Sequence, residues 1–102
     1  MAFESGALEA ALAAAVGDDP ALVAELRSAF LESAIRELDL LKRARCDANW
    51  EVAASRLKGL GASFGIETLI ELAEEALEGA PHDPVVIARL EHAIGGMNQM
   101  IY

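Results

Sequence analysis

The sequence predicts an all-α protein: an antiparallel four-helix bundle over residues 19–102, preceded by a short N-terminal helix within residues 1–18. Three observations carry this expectation. Apolar residues make up 54% of the chain but aromatics only 5%, so the apolar content is mostly Ala, Leu, Ile and Val, which favours helix over sheet. Apolar positions recur at steps of three and four residues, the period of an amphipathic helix. Asp-Pro pairs and glycines punctuate the chain at helix-length intervals and leave no strand candidate. At 102 residues and 10.8 kDa the chain is one domain, large enough to fold around its own core.

The first segment runs from Ser5 to Val16, with Leu8, Leu12 and Val16 at helical spacing and Gly17 as the stop. Asp19 then reads as an N-cap and Pro20 as the first position of the second helix. That helix extends to about Arg45 along a stripe of Val23, Leu26, Phe30, Ala34, Leu38 and Leu41. Some 25 residues at about 1.5 Å each give a rod of roughly 37 Å. Lys42, Arg43 and Arg45 fall in its last turn, where cations suit the helix dipole. Asp47 is expected to cap the third helix, Ala48 to Phe64, with Gly65 as its end. The fourth covers Glu67 to Glu78, with Leu69, Leu72, Ala73, Ala76 and Leu77 as its apolar face and Gly79 as its stop. Asp83-Pro84 repeats the cap-and-proline signal and opens the fifth helix, whose Ile87, Leu90, Ile94, Met97 and Ile101 share one side. Short connections between amphipathic helices make sequential neighbours antiparallel.

Charge and composition exclude several classes of function. Seventeen acids against eight bases give a net charge of −9, which repels nucleic-acid phosphates and anionic lipid headgroups. The lone Cys46 rules out an internal disulfide and a cysteine-rich zinc site. No run of about 18 apolar residues is present, and the N-terminus lacks the basic-then-apolar pattern of a signal peptide. The expectation is a soluble cytoplasmic protein with no metal and no cofactor.

The third segment departs from an ordinary surface helix. On a wheel at about 100° per residue, Trp50, Ala53, Ala54, Leu57, Leu60, Gly61 and Phe64 occupy one arc, the core face. Ser55, Gly59 and Ala62 line up on the opposite side, with Val52 at one edge and Glu51 and Lys58 at the other. A solvent-facing strip normally carries Glu, Lys or Gln, and a glycine inside a helix costs about 0.8–1 kcal/mol relative to alanine. Either something outside the chain approaches this low surface closely, or Gly59 packs under a neighbouring helix or is simply tolerated.

Ala54-Ser55-Arg56-Leu57-Lys58-Gly59, followed by Ala62 and Gly65, resembles the signature of histidine-containing phosphotransfer (HPt) domains, His-x-Leu-Lys-Gly followed by small residues and a glycine. The resemblance spans about residues 20 to 102 and includes the long apolar-striped helix before the motif and the Leu-rich helix after it. It implies a four-helix bundle with the reactive position exposed on one helix. Ser55 stands where the family carries its phospho-accepting histidine. A serine hydroxyl lacks the imidazole nitrogen and is a weak nucleophile without an adjacent base. Lys58 would lie beside the reactive position, Gly59 would keep the surface open, and Ala62 would extend it. The implied protein is a degenerate HPt module of two-component signalling. It would dock a response-regulator receiver domain or a histidine kinase, as a monomer or as a dimer, through Glu51, Val52, Ser55, Arg56, Lys58, Gly59 and Ala62, without relaying phosphate. The alternative is a structural bundle that self-associates through the small strip.

The remaining constellations read as structural. Glu67, Glu71, Glu74, Glu75 and Glu78 form a solvated acidic face, since no Glu-x-x-His pair accompanies them as a di-iron bundle requires. His82-Asp83 and His92 lack a second ligand cluster for zinc. Ser55 has no visible base or oxyanion site, so no enzymatic activity is expected. Arg56 either meets an acidic partner or pairs with a carboxylate on a neighbouring helix. Trp50 reads as a core plug.

Overall fold

The computed structural model describes residues 3–17 and 19–99. Among these the chain forms five α-helices and no strand: α1 (Phe3–Val16), α2 (Pro20–Arg43), α3 (Asp47–Phe64), α4 (Glu67–Glu78) and α5 (Pro84–Gln99). The contacts α2–α3, α3–α4, α4–α5 and α5–α2 close a ring, and α1 lies against α2 and α5 with a smaller contact to α3. No helix among the described residues is long and apolar enough to cross a membrane.

Local chemistry sets most of the helix ends. Asp19 Oδ1 accepts from the amides of Ala21 and Leu22 at 3.0 and 3.4 Å, with Pro20 opening α2 behind it. Asp83 Oδ1 accepts from the Val85 amide at 2.9 Å at the start of α5. Gly17 and Gly65 both turn left-handed, at φ 74° and 66°, a conformation that costs glycine little. Gly79 stops α4 in an extended conformation, at φ −88° and ψ −168°.

Two expected boundaries are corrected. Asp47 does not cap α3. It is the first helical residue, and Cys46 holds the cap position, extended and without a side-chain hydrogen bond. The Asp47 charge still falls in the first turn, where the helix dipole favours it. α2 ends at Arg43 because Ala44 turns extended at ψ 132°, which leaves Arg45 outside the last turn.

The core gathers one face from each helix. Phe30, Ala34, Leu38 and Leu41 of α2 are buried as their spacing predicts, and Leu31 joins them. Val23 and Leu26 pack at the margin. Leu8 and Leu12 of α1 are fully buried, so α1 is part of the core. An ion pair secures it: Arg27 Nε and Nη2 reach Glu9 Oε2 at 2.8 and 2.6 Å. On α5, Leu90, Ile94 and Met97 are buried and Ile87 partly so, while Ile101 lies outside the described residues. Lys42 Nζ joins α2 to α5 through Glu91 Oε2 at 2.6 Å. The hydrogen bond that Lys42 donates to Glu91, then the Glu91 charge, raises the Lys42 pKa above its ordinary value.

Trp50 is the core plug of α3. Its indole N–H donates to the Ala76 carbonyl at 2.8 Å. Ala76 lies in the last turn of α4, where carbonyls lack partners within their own helix, so the indole satisfies one of them. Phe30 of α2 and Phe64 of α3 meet edge to face, with ring centroids 4.8 Å apart.

Candidate functional site

α3 presents the predicted strip. Ser55, Gly59 and Ala62 are all exposed, as are Glu51, Val52, Arg56 and Lys58. The opposite face buries Trp50, Ala53, Ala54, Leu57 and Gly61. The two glycines of this helix do different work. A Cβ built on Gly61 would meet Ile70 Cγ1 at 3.1 Å, the Ile70 amide nitrogen at 3.2 Å and Leu69 Cβ at 3.3 Å, so Gly61 admits α4 at close range. A Cβ on Gly59 would meet nothing within 4 Å. Gly59 therefore does not pack under a neighbouring helix, and no contact among the described residues needs a glycine there. The Ser63 hydroxyl donates to the Gly59 carbonyl at 3.0 Å, a bond that stays within α3.

The charged neighbours are tied back to adjacent helices. Arg56 Nη1 lies 3.9 Å from Glu37 Oε1 on α2. The Glu37 side chain is only 14% exposed, and among the described residues Oε1 has no hydrogen-bond partner. The guanidinium therefore balances a buried carboxylate by charge, at a separation too long for a hydrogen bond. It remains 59% exposed and keeps a solvent-facing side. Lys58 Nζ pairs with Glu74 Oε2 on α4 at 3.3 Å, with both side chains nearly half exposed. Such an exposed pair is worth about 0–1 kcal/mol and exchanges readily for another acidic group.

The surface continues past the strip. A groove of about 330 Å³ between the end of α2 and the start of α3 is lined by Leu40, Arg43, Ala44, Asn49, Val52, Ala53 and Arg56. A second shallow hollow on α3 shares Val52 and Arg56 with it and reaches Ser55. Leu40 and Val52 are 38% and 49% exposed, two large apolar side chains without cover. Leu40, Arg43 and Asn49 lie outside the site expected from the sequence. The available signal was a leucine off the apolar stripe of α2, among cations. Six of the eight basic residues fall within residues 36–58, beside four acids, and the rest of the chain holds two bases and thirteen acids. The region of this face thus carries net +2 on a chain whose remainder carries −11.

No protein-family model, curated protein or solved structure matches this chain.

Other candidate groups stay apart. His82, in the α4–α5 connection, lies 3.6 Å from Asp47 Oδ1, and its ring sits 5.3 Å from that of Trp50. His92 is exposed on α5, beside Thr68 and Leu72. No group of three or more His, Cys, Asp or Glu side chains able to hold a metal occurs among the described residues. Of the α4 acids, Glu67, Glu71, Glu75 and Glu78 face solvent and Glu74 is half-buried. Among the described residues, no base is hydrogen-bonded to Ser55.

Proposed function

We propose that this chain is a degenerate HPt module. It docks a receiver domain or histidine kinase of a two-component system on the outer face of α3 and carries no phosphate. In this reading α2–α5 are the four-helix bundle, α1 is an added N-terminal helix, and the protein works in the cytoplasm. The ring of contacts among α2, α3, α4 and α5 is compatible with that bundle.

One observation carries the proposal: Gly59 sits in mid-helix, exposed, with open space where a Cβ would stand. The fold gains nothing from a glycine at this position and loses about 0.8–1 kcal/mol of helix propensity. A partner surface that must come close to the helix backbone accounts for it. The flanking groups suit such a partner. Val52 and Leu40 offer apolar contact, and Arg56, Arg43 and Lys58 offer charge toward an acidic surface. Ser55 occupies the reactive position without a base, so docking proceeds without transfer.

The test is affinity capture from the source organism's lysate, with the wild type and Gly59→Gln as paired baits. Recovery of a receiver-domain protein or histidine kinase by the wild type alone supports docking through the strip. Equal recovery on both baits, or no signalling protein on either from a lysate that contains them, refutes it. Incubation with a phosphorylated receiver is expected to leave no acid-labile phosphate on the chain.

A further inference from the structure

A second surface lies on α2. At about 100° per residue, Glu25, Ala29, Glu32, Arg36 and Arg43 fall within roughly 60° of arc, directly opposite the buried Phe30, Ala34, Leu38 and Leu41. All five stripe residues are exposed. Three of the five large apolar side chains exposed among the described residues, Leu22, Ile35 and Leu40, also belong to α2. Six of the eight basic residues already hold an acid of their own chain; among the described residues, Arg36 and Arg45 do not. Glu25 and Glu32 make no ion pair among the described residues.

The order of charges along the stripe is the decisive feature. On the stripe the acids lie toward the N-terminal end and the bases toward the C-terminal end. Glu32 and Arg36 are centred on position 34, and so are Glu25 and Arg43. Two copies of α2 laid antiparallel about a two-fold axis at that level bring Glu25 against Arg43 and Glu32 against Arg36, each contact made twice. At the edge of the stripe Asp39 already holds Arg43 at 3.5 Å, so the Glu32–Arg36 contact is the one that carries the pairing. The same register sets Leu40 of one copy over Ser28 of the other. There a shallow hollow of about 370 Å³ is lined by Ala24, Glu25, Ser28, Ala29 and Glu32. A parallel arrangement would set acid on acid and base on base. A face that complements itself under two-fold rotation is what an isologous dimer requires.

We infer that α2 is the pairing surface of a homodimer, and that its occupant is the antiparallel α2 of a second copy. The stripe lies on α2, whereas Ser55, Gly59 and Ala62 lie on α3. The two surfaces share Leu40 and Arg43 at the end of α2, whereas Glu25, Ala29, Glu32 and Arg36 belong to the pairing stripe alone, so changes at 32 and 36 test pairing without altering the docking residues. One helix face about 36 Å long is smaller than a standard protein interface, which makes the dimer a weak, micromolar one.

Sedimentation equilibrium from about 5 to 500 µM tests this with the wild type, Arg36→Glu, Glu32→Arg and an equimolar mixture of the two variants. Each variant alone turns two attractive contacts repulsive, and its dimerisation constant is expected to weaken about tenfold or more. The mixture is expected to regain the dimer. One chain then carries a base at both positions 32 and 36, the other an acid at both, and the antiparallel register sets the bases of the first against the acids of the second. A wild type that stays monomeric throughout, a dimer indifferent to both variants, or a mixture that associates no better than its components overturns the inference. So does a dimer abolished by Gly59→Gln, which would move the contact to α3.

Discussion

Gly59 and Gly61 are two residues apart on one helix, and the structure predicts opposite responses to the same change. Replacing either with alanine removes backbone freedom from the unfolded chain and adds helix propensity, together about 0.8–1 kcal/mol in favour of folding. At Gly59 nothing opposes that gain, because the new methyl meets no atom within 4 Å. Gly59→Ala should therefore stabilise by nearly the full amount. At Gly61 the methyl would press on the Ile70 amide nitrogen at 3.2 Å and Leu69 Cβ at 3.3 Å. Both atoms belong to or adjoin the α4 backbone and cannot rotate away. Overpacking of this kind costs about 1–3 kcal/mol. The propensity gain is common to both variants, so their difference isolates the strain, and Gly59→Ala should exceed Gly61→Ala by about 1–3 kcal/mol. For a domain of this size, about 1 kcal/mol moves Tm by roughly 4–8 °C. Urea and thermal unfolding followed by far-ultraviolet circular dichroism resolve such shifts. Destabilisation by Gly59→Ala, or equal effects at the two sites, would refute the assignment of Gly59 to the outer face and Gly61 to the α3–α4 contact.

Three further outcomes follow from the packing and the charges. Leu12→Ala should cost about 2–5 kcal/mol in urea unfolding, because Leu12 is fully buried; a loss below about 1 kcal/mol would mean that α1 is a detachable appendage. His82 holds φ 68°, a left-handed conformation that costs a non-glycine residue about 1–2 kcal/mol. His82→Gly should therefore be more stable than His82→Ala by about 1 kcal/mol, since both lose the contact with Trp50 and only the glycine relieves the backbone. Lys42 has its pKa raised by Glu91, so its contribution to stability is complete at neutral pH and is lost as pH climbs through that raised value. Between about pH 9 and 12 the urea midpoint should fall further for the wild type than for Lys42→Met, and parallel curves would show that the Lys42–Glu91 pair is inert.

The helices were legible where one residue's chemistry decides an end. Asp19 before Pro20, Asp83 before Pro84, and the glycines at 17, 65 and 79 mark boundaries that the structure keeps. They were misread where a neighbouring element decides. Asp47 looks like a cap on its own, but it enters the helix and its carboxylate lies near His82, across in the α4–α5 connection. Leu31 stands three residues before Ala34 and about 20° from Leu38 on the wheel, so its burial was legible, and a single path through Phe30 passes it over. The same division holds at the site. Exposure of Ser55, Gly59 and Ala62 follows from the wheel of α3 alone. The carboxylates that hold Arg56 and Lys58, Glu37 on α2 and Glu74 on α4, depend on which helices become neighbours. So does the part of the groove that α2 supplies.

The placement of Trp50 has a spectroscopic consequence. It is the chain's sole indole, and it is 1% exposed and hydrogen-bonded to Ala76, so its emission is that of a dry, rigid ring. It faces the interior of α3, while Gly59 faces outward. A protein bound over the strip leaves that emission unshifted, whereas loss of the core exposes the ring to water and moves it to the red. Occupancy and integrity can therefore be followed in one cuvette, with a dye on a surface cysteine added to a Cys46→Ser background for the first, since Cys46 is itself exposed, and the native tryptophan for the second.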